Sequence, residues 1–175
     1  EQGSVDDAFV TALSNFSLSL FRESIKKDAS NDLISPLSAI LCLAMLANGA
    51  DGNTKAQMEN VLGIRTDALN KSLYRYVSTL YTSDSCKMNL ANSIWLRDDH
   101  RDQISKDFLQ TNADWYDAQI YSTPFDHTTV KDINKWVKHY SDGMINSILN
   151  DIPELTVMYL LNALTFDAKW ETKYE

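Results

Sequence analysis

The 175-residue sequence is short of several things, and each shortage excludes a class of function. It has only two cysteines, Cys42 and Cys86, too few for a disulfide scaffold, so two separate thiols are expected. Basic residues are outnumbered, 16 against 24 acidic, for a net charge of -8 and a pI near 4.8. No broad cationic field exists to gather phosphates, so nucleic acid and heparin-like polyanions are not expected partners. The longest apolar run lies around Ile40–Ala47 and is far shorter than the roughly 18 residues of a membrane span. A soluble chain without a membrane partner is expected.

Signatures of catalysis and of bound cofactors are missing too. The histidines His100, His127 and His139 form no HExxH motif and, with the distant cysteines, no usual metal-ligand spacing; neither a metal nor a cofactor is expected. There is no GxSxG elbow, Walker loop or dinucleotide fingerprint: Gly49 and Gly52 are isolated, and Gly63 lacks partner glycines. Asp98 with Asp99, Lys26 with Lys27, and Lys71 with Arg75 read as solvated charge. No nucleophile stands out beside a base, so the chain is not expected to be an enzyme. The sequons Asn15-Phe-Ser and Asn70-Lys-Ser are glycan acceptors in principle, and both sit on helical patterns.

What is present is a core. Hydrophobic residues make up 44% of the chain, enough for one domain or part of a larger one. Phe9, Leu13, Phe16 and Leu20 mark an amphipathic helix within residues 5–27, after which Asn31–Ile34 reads as short and extended. Ser35-Pro36 supplies an N-cap and a proline at the first helical position, so a helix must start there. It is apolar nearly all round from Leu37 to Ala47, which predicts burial, and Gly49 ends it. Thr54 with Gln57 predicts a capping box for a short helix stopping at Gly63; Leu69, Leu73, Tyr76, Val77 and Leu80 mark another. Met88, Leu90, Ile94 and Leu96 then alternate with Asn89, Ala91, Ser93 and Trp95 as in a strand, with Asn92 interrupting the apolar face. Ile104–Tyr116 reads as a helix and Ala118–Pro124 as a strand. Thr129 with Asp132 predicts a capping box for a helix carrying Ile133, Trp136 and Val137, with Gly143 as its stop.

The run Val157–Phe166 is nearly continuous in apolar and β-forming residues, which predicts a central strand covered on both faces. A central strand needs neighbours on both edges, yet the sequence stops nine residues later, so the chain is expected to be cut in mid-fold. It opens Glu1-Gln-Gly-Ser4, without Met and without an apolar signal core, as a chain stripped of a leader or started at a cloning boundary would. The fold class is α+β.

Five stretches resemble the serpins. Asn31-Asp-Leu-Ile-Ser-Pro-Leu-Ser38 is similar to the start of that family's buried helix, Ala47-Asn-Gly-Ala-Asp-Gly-Asn-Thr54 to the turn after it, and Ala91-Asn-Ser-Ile-Trp-Leu96 to its second sheet strand. Asp132-Ile-Asn-Lys-Trp-Val137 with Ser141-Asp-Gly143 resembles its sixth helix, and Leu161-Asn-Ala-Leu-Thr-Phe-Asp-Ala-Lys-Trp170 the strand that follows. The order and spacing match the N-terminal half of a serpin, so residues 1–175 are expected to be the N-terminal part of a single serpin domain. The reactive loop and C-terminal half lie outside this chain. Ser141 stands where threonine is usual and Tyr174 where phenylalanine is.

The resemblance implies a fold of three sheets and eight or nine helices. It also implies irreversible inhibition of a serine or cysteine protease: the enzyme cleaves a reactive loop, which inserts as a new strand into the largest sheet. It further implies that Ser35, Ser38 and Asn162 belong to a polar latch, or shutter, beneath the sheet. Asn134 belongs to the helix lying across it, and Trp170 marks the breach where the loop first enters. The histidine of the opposing strand is absent. Ser35 also reads as an N-cap alone, and Trp170 as core packing. A monomer with a tendency to polymerise is implied, extracellular in the secreted branch of the family and cytoplasmic in the alternative. The competing functions are a non-inhibitory carrier, chaperone or storage serpin, or an inactive fragment.

Overall fold

The computed structural model describes residues 6–26, 33–80, 83, 86–170 and 172. Asn31, Asp32 and Tyr174 lie outside the described residues, so the extended reading of 31–34 is covered only at Leu33 and Ile34.

Helix α1 (Asp7–Ser24) turns Phe9, Ala12 and Phe16 inward, and Asp6 caps it by accepting from the Ala8 N–H. Helix α2 (Pro36–Ala47) begins as expected: Ser35 is the N-cap and Pro36 fills the first turn. Ile40, Leu41, Ala44, Met45 and Ala47 on α2 are buried, with α1, later helices and the sheet packed around it. Burying Leu41 alone removes enough apolar surface to stabilise by about 2 kcal/mol. Helix α3 (Gly52–Leu62) starts two residues before Thr54, from Asp51 and without a side-chain cap, so the predicted Thr54–Gln57 box does not form. Gly63 stops it at φ 71°, a conformation that glycine adopts without strain. Helix α4 (Thr66–Thr79) is capped from outside, because Glu59 of α3 accepts from the Thr66 N–H and hydroxyl at 2.8 and 2.9 Å.

Strand β1 (Cys86–Arg97) runs into a 3-10 turn (Asp98–Gln103) and helix α5 (Lys106–Tyr116); strand β2 (Gln119–Thr123), helix α6 (His127–Tyr140) and strand β3 (Met158–Ala168) follow. The second predicted capping box is also displaced. Asp126 caps α6 by accepting from the Thr128 and Thr129 N–H groups, while the buried Thr129 hydroxyl turns back to accept from the Phe125 N–H. In both cases an aspartate three residues upstream of the threonine supplies the N-cap residue.

The sheet order is β2-β1-β3, with β1 parallel to β2 and antiparallel to β3 from Cys86↔Ala168 to Leu96↔Met158. The predicted central strand β3 is therefore an edge among the described residues, and the centre belongs to β1. The two-faced part of the reading holds: Met158 and Leu160 join the core under α2, and Tyr159, Leu161 and Ala163 join the cluster under α6. Side-chain pattern reports which faces of a strand are covered and is silent about its edges. Leu90, Ile94 and Leu96 likewise face the α2 side, and Ala91 and Trp95 the α6 side.

Candidate functional site

On the α2 side of the ladder, Asn92 and Asn162 stand directly opposite each other. The Asn162 amide donates to Asn92 Oδ1 at 2.9 Å, and the Asn92 amide donates to the Tyr116 carbonyl at the end of α5, at 2.8 Å. Asn92 is only 2% exposed. Asn162 Oδ1 is buried and has no hydrogen-bond partner among the described residues. Leaving such an acceptor unpaired costs on the order of 1–3 kcal/mol. Cys42 of α2 lies against the Asn162 backbone; burial pushes its thiol pKa up, opposed by that backbone contact. Both cysteines are free thiols, as expected.

The other residues implied for the latch are dispersed. Ser35 and Ser38 bond to each other, with the Ser35 hydroxyl donating to Ser38 Oγ at 3.0 Å and accepting from the Ser38 N–H at 3.3 Å. Among the described residues their side-chain bonds stay within the first turn of α2 and do not reach Asn162, so capping is the role their geometry displays. Asn134, on α6, holds the loop that follows the helix: its amide donates to the Leu149 carbonyl at 2.7 Å, and its Oδ1 accepts from the Ile148 and Leu149 N–H groups. Trp170 lies two residues past β3 and is 77% exposed, so core packing is not its environment here. Of the two sequons, Asn15 is exposed, whereas Asn70 is 5% exposed with its side chain fully engaged.

Asn92, read from the sequence only as a break in an apolar strand face, was not singled out there as a site residue, although it is the one polar residue on that face of β1. An amide is a poor strand former and needs a partner when buried. The matching break in β3, Asn162, was the complementary signal. Across the sheet, a second polar hub escaped notice. Gln119 of β2 accepts from the Tyr121 hydroxyl at 2.6 Å and the Trp136 indole at 2.8 Å, and donates to the Tyr140 hydroxyl. Trp95 stacks on Tyr121 with ring centroids 4.2 Å apart.

The arrangement can hold two strands together through a buried amide contact, and among the described residues β3 is the outer strand on that side. Among the described residues, no group of three or more His, Cys, Asp or Glu side chains is placed to hold a metal, and no helix is long and apolar enough to cross a membrane.

The family model for Serpin (serine protease inhibitor) matches residues 11–175. Alpha-2-antiplasmin of Mus musculus is 32% identical over 149 residues, covering 84% of this chain and 29% of that protein. The plasma serine protease inhibitor of Bos taurus is 32% identical over 154 residues, covering 83% and 38%. Among solved structures, the thermophilic serpin tengpin in its latent state superposes with a TM-score of 0.92 at 49% identity, covering all of this chain and 48% of that one. A loop C-sheet serpin polymer gives 0.93 at 50% identity, with 47% of that chain covered. The chain thus spans less than half the length of the relatives it matches, and its helices and partial sheet are those of their fold. It belongs to the serpin family.

Proposed function

We propose that this chain is the N-terminal part of a single serpin domain that traps a serine or cysteine protease outside the cell. A protease cleaves a reactive loop carried by the rest of the protein. The loop then inserts as a strand on the outer side of β3, and the Asn92–Asn162 pair resists that opening until cleavage. The observation that carries this reading is the buried Asn162 Oδ1, which has no hydrogen-bond partner among the described residues and lies on the outer strand of their sheet. A buried acceptor at a pairing edge suits a group that changes partners, because each state must supply it with a donor. Ser35 and Ser38 at the start of α2 and Asn134 on α6 are proposed as the flanks of this latch, and Trp170, exposed beyond β3, as the point of loop entry. The relatives named as protease inhibitors, and the neighbour described as a serpin polymer, support both the trapping role and a tendency of the monomer to polymerise. An acidic protein has little to attract heparin or nucleic acid.

The test uses the full-length protein with a panel of serine and cysteine proteases. Trapping predicts a complex that survives SDS, and a loop-cleaved protein more heat-stable than the intact one. Cleavage without either result would replace this reading with a non-inhibitory serpin. Within the latch, Asn162→Ala is expected to speed polymer formation on mild heating. Unchanged kinetics would remove the latch role of Asn162.

A further inference from the structure

The Asn92–Asn162 contact is one end of a longer line of buried amides. The Tyr116 hydroxyl donates to Asn70 Oδ1 on α4 at 2.5 Å, the Asn70 amide donates to Asn48 Oδ1 at 2.8 Å, and the Asn48 amide donates to Asn112 Oδ1 at 3.0 Å. Asn112 ends the line by donating to the Phe108 and Met45 carbonyls at 3.0 and 3.3 Å. Every bond points the same way, from Asn162 through Asn92 to Tyr116, and from Tyr116 onward to the end of α2. The Tyr116 carbonyl and phenol are joined only through the residue's covalent frame, so bonds polarise one another within each of the two series and not across Tyr116, and an amide bonded on both sides cannot turn over without breaking both bonds. Four members are well covered, with Asn112 0%, Asn92 2%, and Asn70 and Tyr116 5% exposed, while Asn48 and Asn162 are half-buried. Burial also pushes the Tyr116 phenol pKa far up, so the hydroxyl keeps the proton it donates.

Tyr116 is the joint. Its carbonyl is one of the terminal groups that a helix leaves without an internal partner, and Asn92 occupies it. Its ring and hydroxyl are held by α4 through Asn70. A shift of α4 against α5 therefore moves the Tyr116 carbonyl, and Asn92 must turn to follow, swinging its Oδ1 away from Asn162. Space for such a shift exists: a cavity of about 470 Å³ lies between α4, α5 and β1, lined by Leu73, Tyr74, Val77, Asn92, Trp115 and Tyr116.

We propose that Asn48, Asn70 and Tyr116 are positioning residues for the Asn92–Asn162 pair, so that the packing of α4 on α5 sets how readily the β3 edge opens. The functional consequence rests on the trapping reading above; the mechanical coupling does not.

The experiment is carried out on the full-length protein with Tyr116→Phe, which removes the hydroxyl and keeps both the ring and the carbonyl. Phe16→Ala serves as a control that lowers stability from α1, away from the α4–α5 contact and from the line. Two quantities are read: hydrogen exchange of the Asn92 side-chain amide by NMR, and the rate of polymer formation on mild heating. Tyr116→Phe is expected to speed Asn92 exchange about fivefold, the factor worth one net hydrogen bond. It should also speed polymer formation, and the effect should shrink when Asn162→Ala is already present. Asn48→Leu should act in the same direction more weakly, and it replaces Tyr116→Phe if that variant does not fold. Unchanged Asn92 exchange, or equal acceleration in Phe16→Ala at matched stability, would overturn the proposal. If the wild type forms neither an SDS-stable complex nor a polymer, the trapping reading fails, while the exchange measurement still decides the coupling.

Discussion

The two faces of the β1–β3 ladder are held by different chemistry. Under α2 the contacts are aliphatic, with Leu90, Ile94, Leu96 and Leu160 in the core and one asparagine pair crossing between the strands. Under α6 they are aromatic: Trp95 and Tyr121 stack, Trp136 and Tyr140 pack at 4.8 Å, and Gln119 bonds three of these side chains at once. The α6 hub ties the helix to β2 and leaves β3 out, whereas the α2 hub reaches β3 and continues into the helices. A face that must hold a helix down suits large rings with fixed polar handles. A face proposed to readjust when a strand is added beyond β3 suits small amides that can change partners.

That contrast can be broken from either side. The largest expected effect is Trp95→Ala, which should cost about 3–5 kcal/mol in chemical denaturation, against about 2–4 kcal/mol for Ile94→Ala on the opposite face. Reversed magnitudes would make the aliphatic face the stiffer one. Gln119→Leu comes next, at about 1–3 kcal/mol, because it leaves buried hydroxyl and indole groups without their partner. Hydrogen exchange should then rise in α6 while the Asn92 amide keeps its protection; a rise at both sites would mean that the two hubs are coupled. The smallest effect concerns pH. Burial raises the Cys42 pKa, so the unfolded chain loses its thiol proton before the folded one does. The thiol's contribution to stability is complete below the unfolded value and declines as pH rises toward the folded one. Iodoacetamide should therefore label Cys42 slowly at neutral pH and faster in strongly alkaline buffer. Rapid labelling at neutral pH would show that the α2 face is already loose.

Much of the frame was legible because its causes are local. Ser35-Pro36 starts α2 as read, the all-round apolar stretch is buried, and the alternation from Met88 to Leu96 is β1. The misread boundaries were caps: Asp51 and Asp126 stand at the N-caps in place of the Thr54 and Thr129 boxes, a choice between neighbouring residues of similar capping ability. Asn162 stood out because an amide inside an apolar strand is anomalous. Asn48, Asn70 and Asn112 did not, since on helices they look like ordinary surface residues.

The sequence by itself determined where helices and strands form, which of their faces are apolar, and the family, since each depends on residues a few positions apart and on motifs read in order. The tertiary structure alone decided that β1 lies between β2 and β3 among the described residues, that Gln119 gathers three aromatic partners, and that Asn92 meets Asn162 and Tyr116 while Tyr116 meets Asn70. Backbone periodicity reports only neighbours along the chain. A side-chain hydrogen bond to a group 24, 46 or 70 residues away exists only once the packed core has fixed both partners within about 3 Å.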